Sequence, residues 1–179
     1  MKQNKALVVT IIFISFLMLI SCSQKFPLPT SKEVGLLVIA VKATNETKHN
    51  FAYKYALDHL PETSVEIRIL PSTTGKYVMI GDFPVGKYWI SGIKSMPVHS
   101  GTSIPLSFGK GRAINGDSFE IRPNQVTLLN SRFVVLKKKL TDSRSKQYWK
   151  FEKLDEITKS GLIRRLKELE NSERWTFPE

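Results

Sequence analysis

Short runs of alternating apolar and polar residues, separated by turn residues, constrain the fold of this chain more than any other feature. In residues 64–70, SVEIRIL, the apolar Val65, Ile67 and Ile69 alternate with polar residues. This period of two predicts a strand with one buried face. Further runs rich in β-branched and aromatic residues lie between Pro, Gly and Asn at 34–42, 76–83, 87–94, 118–123 and 125–139. Together they predict a mainly β protein, an antiparallel β-sandwich.

Two other stretches have mixed patterns. In residues 51–60, FAYKYALDHL, the aromatic residues alternate as in a strand, whereas other apolar positions fit one face of a helix. Both a short strand and a turn of helix therefore stay open. Residues 95–117 are rich in Gly, Ser and Pro, which predicts a long loop with one irregular strand at 106–108.

The C-terminal part, residues 141–179, differs in composition from the predicted sandwich at 34–140. Residues 148–154 alternate as in an edge strand, and a helix is predicted at about 155–172 because its start is acidic and one side is apolar. The apolar side consists of Ile157, Leu162, Leu166 and Leu169. We expect this helix to dock on the sandwich, with Trp149 or Trp175 closing the contact. The alternative is that the helix docks on a partner protein.

An apolar leader ends at the only cysteine of the 179-residue chain. Residues 1–5 carry two lysines and residues 6–20 carry no charge, which is the layout of a secretory signal. The apolar run is shorter than the ~20 residues that a membrane span needs, although a signal-anchor helix stays the alternative. The sequence Leu19-Ile20-Ser21-Cys22 that follows resembles the lipobox of bacterial lipoproteins.

The lipobox resemblance implies that the leader, residues 1–21, is removed between Ser21 and Cys22. It also implies that Cys22 carries a diacylglycerol and becomes the acylated N-terminus, so that membrane lipid is the first partner. Stable anchoring needs at least two acyl chains. No Asp follows Cys22, which favours the outer membrane, with the protein facing the periplasm. Residues 22–33, with Pro27 and Pro29, are expected to be a tether.

The chain is basic, with 27 Lys and Arg against 16 Asp and Glu and a net charge of +11. The leader removes Lys2 and Lys5 but no acid, so 25 basic against 16 acidic residues leave +9 on the mature chain. Such a charge attracts anionic lipids or glycans, and a solvated surface without a ligand is the alternative. Nucleic acid is not expected, because no nucleic-acid-binding motif is present. Candidate anion-binding residues lie in two basic runs: Lys110 and Arg112, and Lys137, Lys138 and Lys139.

The segment IGDFPVGKYWI, residues 80–90, carries a second resemblance. Its Phe83, Pro84, Gly86 and Tyr88 resemble the Pro-x-Gly turn of PEGA and carboxypeptidase-regulatory modules. FEIRPNQVTLL, residues 119–129, resembles the hairpin that follows in the same modules. The resemblance implies a sandwich of transthyretin-like topology. The turn at residues 84–86 itself predicts that strands 76–83 and 87–94 form a hairpin. The loop-rich stretch 95–117 is a departure from these compact modules.

No catalytic residue, metal ligand or cofactor is predicted. A lipidated Cys22 leaves no thiol, and the spacings between His49, His59 and His99 match no metal-binding framework. The sequence thus favours a non-catalytic binding or accessory module, anchored by lipid at the periplasmic membrane surface. One alternative is an assembly partner of an envelope complex that binds through the C-terminal helix. The other is a cryptic hydrolase that acts on envelope glycans or lipids.

Overall fold

The computed structural model describes residues 25–72, 75–98, 104–106, 118–141 and 143–178 of the chain. These residues form strands β1 (Val34–Asn45), β2 (Tyr53–Leu60), β3 (Ile67–Ile69), β4 (Tyr77–Pro84) and β5 (Gly86–Pro97). They continue with β6 (Ile104–Leu106), β7 (Ser118–Ile121), β8 (Val126–Leu128), β9 (Ser131–Lys139) and β10 (Ser145–Lys153). Helix α1 (Glu156–Lys167) and a 3₁₀ turn (Ser172–Arg174) follow.

The strands form two five-stranded sheets. The first has the order β10-β9-β1-β4, with β8 also paired to β1, and the second has the order β3-β2-β5-β6, with β7 also paired to β5. The predicted fold class, a mainly β two-sheet protein with a C-terminal helix, is therefore confirmed. The pairing differs from an all-antiparallel sandwich in one respect, because β1 runs parallel to β8 and β9.

The turn at 84–86 connects the two sheets, so the hairpin predicted for its flanking strands is wrong. β4 pairs with β1, whereas β5 pairs with β2. The reason lies in Phe83 and Tyr88, whose buried rings are 5.0 Å apart in the core between the sheets. The Tyr88 hydroxyl donates to the Pro84 carbonyl at 3.1 Å, and a Cβ on Gly86 would lie 3.2 Å from the Tyr88 ring.

The segment 119–129 behaves in the same way. Its two strands, β7 and β8, were also expected to form a hairpin, but β7 pairs with β5 and β8 pairs with β1. The chain crosses between the sheets because Phe119 and Ile121 face the inner core, whereas Val126 and Leu128 face the outer side of the first sheet. Of the two structures that the sequence left open for residues 51–60, the strand is correct. β2 covers Tyr53–Leu60, and Tyr55, Leu57 and His59 are buried at alternating positions.

The main core lies between the two sheets, and both sheets contribute aliphatic and aromatic side chains to it. From the first sheet come Leu37, Ile39, Phe133 and Val135, and from the second Tyr55, Ile67, Ile90 and Ile93. Trp149 of edge strand β10 stacks on Phe133 with ring centroids 6.3 Å apart. This tryptophan therefore belongs to the inner core and does not pack with the helix.

A second core covers the outer face of the first sheet. Helix α1 begins after Asp155, whose carboxylate accepts the Thr158 N–H at 2.8 Å, and it ends at Lys167, earlier than predicted. Its buried side chains are Leu162 and Leu166. They pack with Leu36, Val38, Phe26 and Trp175. Ile157 is 87% exposed, so its predicted place on the docking side is wrong. At about 100° per residue, the nine positions from Ile157 to Leu166 place the two side chains on opposite sides of the helix.

Residues 25–30, part of the expected tether, lie against the C-terminal segment. Phe26 is only 2% exposed, and its N–H donates to the Glu170 carbonyl at 3.0 Å. The Trp175 indole N–H donates to the Pro27 carbonyl at 2.8 Å, and the Thr30 N–H and hydroxyl both donate to Asp82. These contacts join the first described residues to both the C-terminal segment and β4.

Candidate functional site

A basic cleft with a volume of about 340 Å³ lies at one end of the first sheet. Because β1 runs parallel to β9 and β10 runs antiparallel to β9, the β1–β2 loop and the β9–β10 turn come together at this end. The cleft lies between that loop and that turn. Its lining residues are Glu46, Thr47, Lys48, His49, Lys139, Thr141, Ser143, Arg144 and Ser145.

A buried lysine holds the backbone of the β1–β2 loop. Lys137 is 5% exposed because it continues the inward-facing row of Phe133 and Val135 along β9. Its ammonium group donates to the carbonyls of His49, at 3.1 Å, and Asn50. A buried ammonium group requires such acceptors, so Lys137 is committed to the loop backbone.

The loop also carries its own network of hydrogen bonds. The Asn45 side-chain oxygen accepts the N–H and the hydroxyl of Thr47, at 2.9 and 2.8 Å, and the Asn45 amide donates to the His49 carbonyl at 2.8 Å. This is the Asx-turn geometry that favours Asn at such positions. The sequence thus fixes the backbone that presents Lys48 and His49 to the cleft.

Gln147 of β10 fastens the other end of the loop. Its side-chain oxygen accepts the Ala52 N–H at 3.1 Å, and its amide donates to the Tyr55 hydroxyl at 2.8 Å. Burial raises the pKa of Tyr55 to about 12, although the Gln147 hydrogen bond acts in the opposite direction. Tyr55 therefore stays neutral over the physiological pH range and serves as a stable anchor point.

The charged groups of the basic cleft favour an anion. Its lining includes the cations Lys48, Lys139 and Arg144 and one described carboxylate, Glu46. Within the described part of the chain, neither Lys48 nor Arg144 forms an ion pair. Cations gathered in a concave surface raise the local concentration of anionic ligands.

The hydroxyl groups of the cleft add neutral hydrogen-bonding capacity. Thr141, Ser143 and Ser145 line it from the β9–β10 turn. The turn itself is held by backbone bonds, since the Leu140 N–H donates to the Arg144 carbonyl at 2.9 Å. Hydroxyl groups can both donate and accept hydrogen bonds, so the site suits a ligand that carries both hydrogen-bond donors and hydrogen-bond acceptors.

The structure separates the three lysines that the sequence grouped together. Side chains alternate along β9, so Lys138 points away from the other two and lines a different groove with Leu136 and Tyr148. Lys137 holds the loop, whereas Lys139, two positions further along the strand, lines the basic cleft. Of the other predicted site residues, Lys110, Arg112, Ser21 and Cys22 lie outside the described residues.

Sequence reasoning missed Lys48 and Arg144. Each is a single cation in a polar loop, and no local pattern distinguishes such a residue from a solvated surface charge. The signal that joins them is the parallel pairing of β1 with β9, which brings residues almost a hundred positions apart to the same end of the sheet. That pairing has no short-range sequence signature.

His59 is a core residue. It is 6% exposed, its ring lies 5.1 Å from that of Phe83, and its Nε2 is 2.9 Å from the Thr63 hydroxyl. Burial lowers the pKa of His59, while the carboxylates of Asp58 and Glu62 oppose that shift. Across the described ranges, no group of three or more His, Cys, Asp or Glu residues is placed to hold a metal ion.

The described residues define a mainly β protein of two sheets with a helix packed on one outer face. No family model matches the chain, and comparisons with curated proteins and with solved structures give no match either. The resemblances to bacterial lipoproteins and to PEGA-like modules therefore stay predictions. The described helices include none that is both long enough and apolar enough to cross a membrane.

Proposed function

We propose that this protein is a lipid-anchored lipoprotein of the bacterial envelope, which acts by binding at the periplasmic surface of the outer membrane. The lipobox Leu19-Ile20-Ser21-Cys22 carries the proposal. Diacylglycerol on Cys22, with a further N-acyl chain, supplies the two or more chains that stable anchoring needs. The protein is proposed to work without catalysis, as a binding or accessory module.

The contacts of residues 25–30 support a short connection between the anchor and the domain. Phe26 is buried in the second core only four positions after Cys22. Four residues span at most about 14 Å in any conformation. An acylated Cys22 would therefore keep the helix-covered side of the first sheet close to the bilayer surface.

The basic cleft supports binding as the mode of action. The loop that forms it is fixed by Lys137 at one end and by Gln147 at the other. A preorganised surface loses less conformational entropy when a ligand binds. A net charge of +9 on the mature chain also favours association with the anionic components of an envelope.

Mass spectrometry of the N-terminal peptide tests the proposed anchor. The protein purified from its native envelope should begin at Cys22 and carry the mass of a diacylglycerol. Cys22→Ser should abolish incorporation of labelled palmitate, whereas the matched change Ser23→Ala, one residue further on, should retain it. An N-terminus at Met1, or an unmodified Cys22, would contradict the proposal.

A further inference from the structure

The number and type of donors in the basic cleft point to a particular anion. Lys48 and Arg144 line it and have no ion pair within the described part of the chain, and Glu46 is the one described carboxylate of the lining. A phosphate diester carries one negative charge on two free oxygens, and a phosphate monoester carries about −1.5 to −2 charges on three at neutral pH. Arg144 and Lys48 can supply several N–H donors to either form, and the planar guanidinium group can donate to two phosphate oxygens at once.

The volume and the remaining polar groups indicate what the phosphate is attached to. A cleft of about 340 Å³ falls within the usual range for small-molecule sites and is larger than one phosphate requires. Glu46, Thr141, Ser143 and Ser145 share the lining with the cations. Carboxylate and hydroxyl oxygens accept hydrogen bonds from hydroxyl groups, so this part of the lining suits a polyol.

We propose that the basic cleft binds a phosphorylated polyol, either as the headgroup of a phospholipid or as a soluble sugar phosphate. Lys48 and Arg144 contact the phosphate, and Glu46 accepts hydrogen bonds from hydroxyl groups of the polyol. The inference deepens the proposed function, on which it rests, by naming the ligand of the same binding module. It does not require the lipid anchor, because the described residues that line the cleft belong to the β1–β2 loop and to the region of the β9–β10 turn.

Calorimetric titration of the full-length protein with glycerol 3-phosphate, in neutral detergent and at constant ionic strength, tests the inference. We expect saturable binding with one site per chain. The double variant Lys48→Gln/Arg144→Gln should bind at least tenfold more weakly. The control Lys87→Gln/Lys153→Gln removes the same charge from exposed positions at the other end of the sheets and should change affinity less than twofold.

Hydrogen–deuterium exchange locates the ligand without any substitution. Saturating glycerol 3-phosphate should slow exchange in peptides that cover 46–50 and 139–145, and glycerol alone should not. Absence of saturable binding would overturn the proposal, as would equal losses in the two double variants or protection confined to other peptides. These results do not depend on the mass of the N-terminal peptide, so failure of the site and failure of the anchor are distinguishable.

Two further arms separate the sources of the phosphate. The full-length protein is placed in nanodiscs of phosphatidylcholine, or in nanodiscs that also contain phosphatidylglycerol. If the ligand is a lipid headgroup, phosphatidylglycerol should protect the cleft peptides without any added solute. If the ligand is soluble, protection should require glycerol 3-phosphate in both kinds of disc. Protection in neither arm would overturn the proposal.

Discussion

Replacement of Phe26 by alanine tests whether the segment next to the proposed anchor is part of the folded domain. Phe26 is 2% exposed, and its ring packs edge-to-face on Phe177 with centroids 5.7 Å apart. Full burial of such a side chain contributes about 1.5–3 kcal/mol, and the aromatic pair adds about 0.5–1.5 kcal/mol. Partial relaxation of the surrounding side chains into the vacated space limits the cavity cost. We therefore expect Phe26→Ala to lower the free energy of unfolding by about 3 kcal/mol.

Urea unfolding followed by tryptophan fluorescence measures this change. Trp175 donates to the Pro27 carbonyl, so its emission should report release of the segment directly. The matched control is Leu28→Ala, two positions further on, because Leu28 is 57% exposed and its loss should cost less than about 0.5 kcal/mol. If both variants unfold at the same urea concentration as the unmodified protein, the contacts of residues 25–30 do not stabilise the fold and the short-tether reasoning fails.

Two further predictions concern buried polar groups. Lys137→Met should remove the donor from two loop carbonyls, destabilise the fold by about 2 kcal/mol and speed hydrogen exchange in the β1–β2 loop, whereas the exposed neighbour change Lys138→Met should do neither. His59 should make stability pH-dependent: because its folded pKa is lowered, stability is full above the unfolded pKa of about 6.5 and falls as the pH drops below it, by at most about 1.4 kcal/mol per pH unit. Urea titrations at successive pH values should show this loss, and His59→Gln should remove that component; an unchanged slope in His59→Gln would contradict the assignment.

Features of the fold that depend on neighbouring residues could be predicted from the sequence, whereas features that depend on residues far apart in the chain could not. The alternation along β3 and the apolar, β-branched run of β9 are properties of neighbouring residues, so the sequence predicts those strands without knowledge of the partner strands. The two predicted hairpins were wrong because a turn sequence sets the local direction of the chain and leaves the choice of sheet open. At Phe83 and Tyr88 that choice was made by two aromatic rings that both pack between the sheets.

The helix shows what apolar spacing can and cannot predict. Leu162 and Leu166 lie four positions apart and face the sheet as predicted. Ile157 was assigned to the same face, but it lies nine positions before Leu166, which at about 100° per residue is half a turn away. Its side chain is accordingly exposed. Apolar residues on a helix therefore predict its buried face only when their spacing matches the helical period.

The geometry of β1 links the proposed anchor to the proposed ligand site. Gly81 of β4 faces Pro27 of the N-terminal segment, and the neighbouring Ile80 pairs with Leu37 of β1. β1 ends at Asn45, next to the basic cleft. The eight residue steps from Leu37 to Asn45 span roughly 26 Å, which is more than the ~14 Å reach of the connection to Cys22. The cleft can therefore meet headgroups of the same membrane only if β1 is inclined by no more than about 33° to the bilayer plane. Protection of the cleft by phosphatidylglycerol would require that flat orientation, whereas an upright β1 directs the cleft towards soluble ligands.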